Sequence, residues 1–200
     1  MATCSRCGKF AHYRARHTGD FFCPAHARLE VVGARDDRPA ASSLALREAI
    51  PSDRDSIAGL AMLFWGESLV HCFDRTYDVV ALPALVATDG EAIVGALTYA
   101  LEGEVWVIVL LNILPEYQGR SAGRRMLDTV CFLARQAGCA RVAVSTTNDD
   151  LPALALYQSY GFRLAELDAG REIEHHGYAE IGFGGIPVRD EIRLLYDLSD

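Results

Sequence analysis

Leu111 to Gly123 reads LNILPEYQGRSAG, an apolar strand end that passes through Pro115 and Gly119 into a helical run, RRMLDTVCFLARQAG, from Arg124 to Gly138. The first N–H groups of a helix have no partners within it, and the helix dipole favours an anion at that end. Small residues at Gly119, Ser121, Ala122 and Gly123 let a ligand approach the backbone, while Arg120, Arg124 and Arg125 add fixed positive charge. The stretch from Gln118 to Gly123, Q-x-x-S-x-G, is therefore a candidate pyrophosphate cradle placed after a strand. An ordinary strand-to-helix turn is the competing reading.

The surrounding pattern places that cradle in an α/β chain. RVAVSTTN, from Arg141 to Asn148, reads as a strand, and LPALALYQSYGF as a short helix carrying Leu154, Leu156, Tyr157 and Tyr160 before the break at Gly161. Upstream, LALREAI reads as a first strand. Pro51 and Ser52 then open a helix to Gly66 with Ile57, Leu60, Ala61 and Phe64 at helical spacing. Strands at Leu82–Thr88 and Ala92–Leu101 flank the hairpin signal Asp89-Gly90; Glu104–Ile113 follows through Glu102-Gly103, and Glu191–Leu198 supplies a last strand. The order predicts a mixed α/β fold, a mostly antiparallel sheet flanked by helices.

These ordered blocks, together with WGES at 65–68 and GIPVRDEI at 185–192, resemble the GCN5-related N-acetyltransferase (GNAT) superfamily over roughly Leu44 to Asp200. The resemblance implies an acyl-CoA-dependent transferase that moves an acetyl group from acetyl-CoA to an amine of a small molecule or protein, by direct attack in a ternary complex. Gln118, Gly119, Arg120, Ser121, Ala122, Gly123 and Arg124 would hold the CoA pyrophosphate. Leu111, Asn112 and Ile113 would pair with the pantetheine arm as if it were an added strand, and Tyr157 would protonate the leaving thiolate. Ser121 stands where relatives usually have glycine, implying a slightly wider turn. Asp150 stands where they often have a cofactor-contacting asparagine, with Asn148 two residues earlier, so both are candidate contacts. Val107 and Ser145 occupy the positions where many relatives place an acidic base, which leaves Glu67, Asp78, Glu104 or a water relay as candidates. Relatives often dimerise, so a homodimer is among the states the resemblance implies.

A second signal lies at the N-terminus: Cys4-x-x-Cys7, fifteen residues, then Cys23-x-x-His26. Two close pairs of soft ligands at this separation suit a closed tetrahedral zinc site of the ribbon or knuckle kind, which would supply much of the folding free energy of so short a segment. The expected division is a structural zinc module over residues 1–32, a polar linker GARDDRPAASS over 33–43 and a catalytic domain over 44–200. His12 or His17 could replace His26 as ligand. A redox Cys-x-x-Cys lacks its βαβ context. Arg14, Arg16 and Arg28 offer contacts to nucleic acid, to a partner or, most economically, to the acidic domain beside them. Cys72, Cys131 and Cys139 read as packing residues.

The chain of 200 residues is 50% hydrophobic with formal net charge −8. Residues 1–43 carry about +3 and the remainder about −11, a balance that favours cationic amine acceptors and argues against nucleic acid as a partner of the larger part. No apolar run reaches the ~18 residues of a membrane span, and the N-terminus has no signal-peptide core, so a cytoplasmic protein without membrane partners is expected. Glu172, His175, His176 and Glu180, in REIEHHGYAE, read either as a second metal site or as a solvated polar loop. Two other functions remain open from sequence: a catalytically weak acyl-CoA-binding or zinc-dependent interaction module, and a nucleic-acid-binding regulator.

Overall fold

The structure, a computed structural model, describes residues 1–15, 18–27 and 44–198, the His176 side chain excepted. The expected linker at 33–43, Arg16, His17, Arg28 and the last two residues lie outside the described residues. In the N-terminal module, Gly8 N–H donates to Cys4 O and Cys4 N–H to Lys9 O, closing a knuckle around the first cysteine pair. Strands β1 (Tyr13–Arg14) and β2 (Phe21–Phe22) pair antiparallel, and a 3-10 turn, Pro24–His26, follows Cys23 and ends on His26.

The larger part runs β3 (Ala45–Glu48), α1 (Arg54–Trp65), β4 (Leu69–Cys72), β5 (Arg75–Asp78), β6 (Ala84–Asp89), β7 (Ala92–Glu102) and β8 (Val105–Ile113). It continues with α2 (Ala122–Gln136), β9 (Arg141–Thr147), α3 (Leu151–Tyr160), β10 (Arg163–Asp168), α4 (Arg171–His176) and β11 (Glu191–Asp197). Among the described residues, seven strands form one sheet in the order β10-β11-β9-β8-β7-β6-β3. Its pairs are antiparallel except β8 with β9. That exception follows from the connection, because α2 carries the chain back across one face before β9 begins.

Each face of the sheet is covered. On one, Met126, Leu127, Val130, Cys131 and Ala134 of α2 pack with Leu97, Ile108, Val142, Val144 and Leu194. On the other, Ile57, Leu60 and Ala61 of α1 pack with Val86, Ala96, Val107, Val109 and Ala143, extended by Cys72, Tyr77 and Val79 from the β4–β5 hairpin. Burying each large aliphatic side chain contributes about 1.5–3 kcal/mol. Helix α1 starts where Asp53 accepts from Ile50 N–H at 2.8 Å and is gripped by both Arg47 Nη atoms at 2.6 and 3.1 Å; it ends at Gly66, whose left-handed φ of +80° only glycine adopts freely.

The hairpin β4–β5 and helix α4 were not legible in the sequence. The hairpin turn is Phe73-Asp74, at φ +52° and +60°, without the Gly or Asn that announces such turns. It is held instead by distant residues: Glu191 accepts from Phe73 N–H at 3.0 Å and Arg193 donates to Asp74 at 3.1 Å. The segment read as a polar loop at 171–176 is helical. The three packing cysteines, Cys72, Cys131 and Cys139, are buried as expected.

Candidate functional site

Pairing between β8 and β9 runs from Val105↔Arg141 to Ile108↔Val144 and stops there, although β7 follows β8 to Ile113 and β11 follows β9 to Thr147. Each strand is held by its outer neighbour, so the two diverge. Residues 109–112 and 145–147 then face each other across a groove, closed by Asp150, Ala153 and Tyr157 from the start of α3 and by Trp65, Glu67 and residues 69–72 at its other mouth. The β8 backbone beyond Ile108 lacks a strand on this side among the described residues, which leaves edge N–H and C=O groups for an extended ligand.

The cradle lies at the end of β8. Gly119 has φ +79° and Ser121 φ +61°, so the serine adopts the left-handed geometry that glycine would take. From Arg125 N–H the first helical bond of α2 reaches Ser121 O at 3.0 Å, leaving the N–H groups of 122–124 at an open helix start. Gly123 sits against Leu156, whose Cδ2 would lie 3.3 Å from an added Cβ, and an added Cβ would also meet Leu111 and Ile113. Arg120 stacks on Tyr117 and Arg124 on Tyr160, with guanidinium carbons 4.9 and 5.3 Å from the ring centroids. Arg125 instead donates to Leu44 O at 2.6 Å and is a structural residue.

Two expected cofactor contacts are redirected by their hydrogen bonds. The Gln118 amide donates to His12 O at 2.8 Å and Ile113 O at 3.1 Å and accepts from Arg14 N–H at 3.2 Å, so only its backbone is left for the cradle. Asn148 donates to Pro187 O and accepts from the N–H groups of Arg189 and Asp190, fastening the 187–190 loop. Asp150, in contrast, lines the groove and caps α3 by accepting from Ala153 N–H at 3.1 Å. Burial pushes its carboxyl up to about 6, against the pull of that N–H and reinforced by the charge of Asp149. Tyr157 is buried in the groove wall, and its phenol is raised by desolvation and then by the charge of Asp150.

Of the three candidate base carboxylates, Glu67 lines the groove, 4.0 Å from His175 Nε2. Asp78 accepts from Val80 N–H away from it, and Glu104 lies in the turn before β8, at the far end of that strand. Residues the sequence reading missed are His71 and Glu191 on the groove wall, where Glu172 and His175, read as candidate metal ligands, also stand; His71 and His175 stack with centroids 3.9 Å apart. Cys72 is in the wall but inert, its thiol pushed up to about 12 by burial and by the charge of Glu191.

The N-terminal module brings Cys4, Cys7, Cys23 and His26 together, with all donor atoms within 4.8 Å of one another. Cys4 Sγ and Cys23 Sγ each lie 3.5 Å from His26 Nδ1, and Cys7 Sγ lies 3.7 Å from Cys23 Sγ. Zinc–sulfur bonds of about 2.3 Å and zinc–nitrogen bonds of about 2.0–2.1 Å in a tetrahedron give S···S edges of about 3.8 Å and S···N edges of about 3.6 Å. The donor set has the size of that centre. Burial works to raise the Cys4 thiol, but the N–H groups of Cys23, Arg6 and Cys7 bring it down to about 6, toward the thiolate a metal needs. His12 is outside the cluster and packs on Phe10 and Phe64. Among the described residues this is the one such cluster, so the second metal site read at 172–180 is not formed by the residues described there.

The module is seated on the larger part at the rim of the groove. Besides Gln118, Glu116 O accepts from Arg14, Phe64 of α1 meets Phe10 and His12, and Tyr13 packs edge-on against Phe183 at 4.9 Å. Of the candidate arginines, Arg14 therefore serves intramolecular docking.

Comparison with known proteins agrees with this geometry. The acetyltransferase (GNAT) family pattern matches residues 52–162, from the start of α1 to the end of α3, which includes the cradle and the groove lining except Glu172, His175 and Glu191. The uncharacterized protein YdhI of Bacillus subtilis is 33% identical over 114 residues, 54% of this chain and 69% of that protein. The uncharacterized N-acetyltransferase YvbK of the same organism is 29% identical over 91 residues, 46% of this chain and 58% of that one. Among solved structures, the IAA acetyltransferase from Bacillus cereus superposes with TM-score 0.65 at 23% identity, covering 78% of this chain and 99% of its own. A Bacillus subtilis acetyltransferase in complex with CoA gives 0.64 at 21% identity, covering 77% and 98%. The fold, the split between two parallel strands and the family match together place the chain in the acetyltransferase (GNAT) family.

Proposed function

We propose that the protein is an N-acetyltransferase that moves the acetyl group of acetyl-CoA to an amine by direct attack within a ternary complex. The observation that carries this reading is the parting of β8 from β9 beside the open N-terminus of α2. Leu111 to Ile113 bind the pantetheine arm through their backbone, while the N–H groups at 119–124, with Arg120 and Arg124, hold the pyrophosphate. Fixing both reactants in one groove supplies much of the rate.

In the transfer step the amine nitrogen forms the C–N bond, backbone N–H groups near Ile113 polarise the thioester oxygen, and the C–S bond breaks. Tyr157 gives its proton to the departing sulfur. Burial keeps its phenol protonated, so the proton is in place when the sulfur departs. Glu67 takes the proton of the newly bonded nitrogen, directly or through water, and passes it to solvent, which restores the proton to the Tyr157 phenolate. Replacing Tyr157 with Phe lowers thiol release from acetyl-CoA about a hundredfold or more with acetyl-CoA affinity unchanged. Unchanged turnover rejects the phenol as acid.

The same reading gives the N-terminal module a structural zinc held by Cys4, Cys7, Cys23 and His26, a closed site whose metal supplies folding free energy and leaves no position for substrate. Free thiols in a metal-ligating pattern fit a reducing compartment such as the cytoplasm.

A further inference from the structure

One buried donor in the groove has no acceptor among the described residues. Asn112 is 6% exposed, and its Oδ1 accepts from Trp65 Nε1–H at 3.3 Å. Because indole can only donate, this bond fixes which way the amide points. Nδ2 is left buried without a partner among the described residues, in a residue that lines the groove. Such a group costs about 1–3 kcal/mol unless something accepts from it.

The strand pattern says on which side of the sheet that acceptor arrives. Leu111 and Ile113 point at Gly123 and so face α2, the side of the cradle. Asn112, between them, faces α1 and Trp65, the side opposite the cradle. At the same mouth stand Glu67, His71, Glu172 and His175, with Glu191, bound by Arg193, deeper in the wall. A mouth lined by carboxylates and imidazoles suits an ammonium group.

We propose that Asn112 selects the acceptor at this mouth, favouring a small amine that bears a hydrogen-bond-accepting oxygen close to its nitrogen, as in amino alcohols, amino sugars and α-amino carbonyl compounds. The oxygen accepts from Asn112 Nδ2 while the ammonium lies among Glu67, His71 and His175. Asn112 thus serves two substrates, its backbone the pantetheine arm and its side chain the acceptor. This inference rests on the acetyltransferase reading above and names its substrate class.

The test is thiol release from acetyl-CoA by the full-length protein with three matched pairs of amines: ethanolamine and propylamine, glucosamine and cyclohexylamine, alaninamide and sec-butylamine. In at least one pair the oxygen-bearing member is preferred at least about tenfold in kcat/KM, and Asn112→Leu removes that preference through KM. Asn112→Ser, a smaller change that keeps a donor, retains part of the preference and guards against misfolding of the leucine variant. Equal use of both members of every pair, or a preference that survives in Asn112→Leu, overturns the subsite. Tight acetyl-CoA binding with no thiol release to any amine overturns the acetyltransferase reading itself.

Discussion

Single side chains decide how closely this groove follows its family. Ser121 fills a glycine position in the glycine conformation, with φ +61°, so the cradle keeps its shape at a cost of roughly 1 kcal/mol that Ser121→Gly should return as stability. Asp150 is a more informative departure. Its carboxyl, pushed up to about 6, binds a proton more tightly folded than unfolded, so stability falls as pH rises through that value, and the full cost is present above it. Asn caps a helix as well as Asp. Asp150→Asn should therefore raise Tm at pH 8, with a gain that closes as the pH falls toward about 4, and should tighten acetyl-CoA several-fold by removing a carboxylate from the groove. Thermal melts across pH that show a constant difference contradict this. The places of Gly119, Gly123, Arg120 and Arg124 around the start of α2, and of Tyr157 in α3, were legible because their signals are local. Gln118 and Asn148 were not, since their partners, His12 and Arg14 for one and residues 187–190 for the other, are remote in sequence.

At the scale of elements, local signals and tertiary ones part company. The long strands, α1, α2 and α3 carry their own periodicity, caps and turns, and the sequence placed them within a few residues. Hairpin β4–β5 has no turn signal and depends on Arg193, a buried cation bound to Glu191 at 2.8 and 3.0 Å and reaching Asp74, Glu166 and Asp168. Removing it strands Glu191 in the wall. Arg193→Met should cost about 3–5 kcal/mol in urea unfolding, and adding Glu191→Gln should recover most of that loss. A single variant within about 0.5 kcal/mol of wild type would show the network to be ornamental. The N-terminal module is the opposite case, since its ligands were evident from spacing but its seat was not. Protein prepared without added metal should hold about one zinc per chain, and chelation should loosen residues 1–27, expose Phe64 and the Gln118 amide, and weaken acetyl-CoA binding. Less than half an equivalent of zinc in fresh, reduced protein, or a module as protected from hydrogen exchange without metal as with it, would contradict that account.

Over the whole molecule, the two sides of the sheet divide the labour. The α2–α3 side offers an open helix start, Arg120 and Arg124 to an anion; the α1 side offers carboxylates and imidazoles to a cation, within a chain of net charge −8. Sheet divergence joins the sides, and the N-terminal module is docked at the rim where they meet. Among the described residues no helix is long and apolar enough to cross a membrane. The central claim is that this groove holds acetyl-CoA, and a calorimetric titration of the purified protein with acetyl-CoA tests it most directly. Gly123→Glu, which drives a carboxylate against Leu156 at the helix start, and Arg124→Glu, which reverses a cradle charge, serve as controls checked for folding by thermal melts. One-site micromolar binding by wild type that both folded variants lose is the expected result. A well-folded wild type that takes up no acetyl-CoA, or folded variants that bind it as tightly as wild type does, would contradict it.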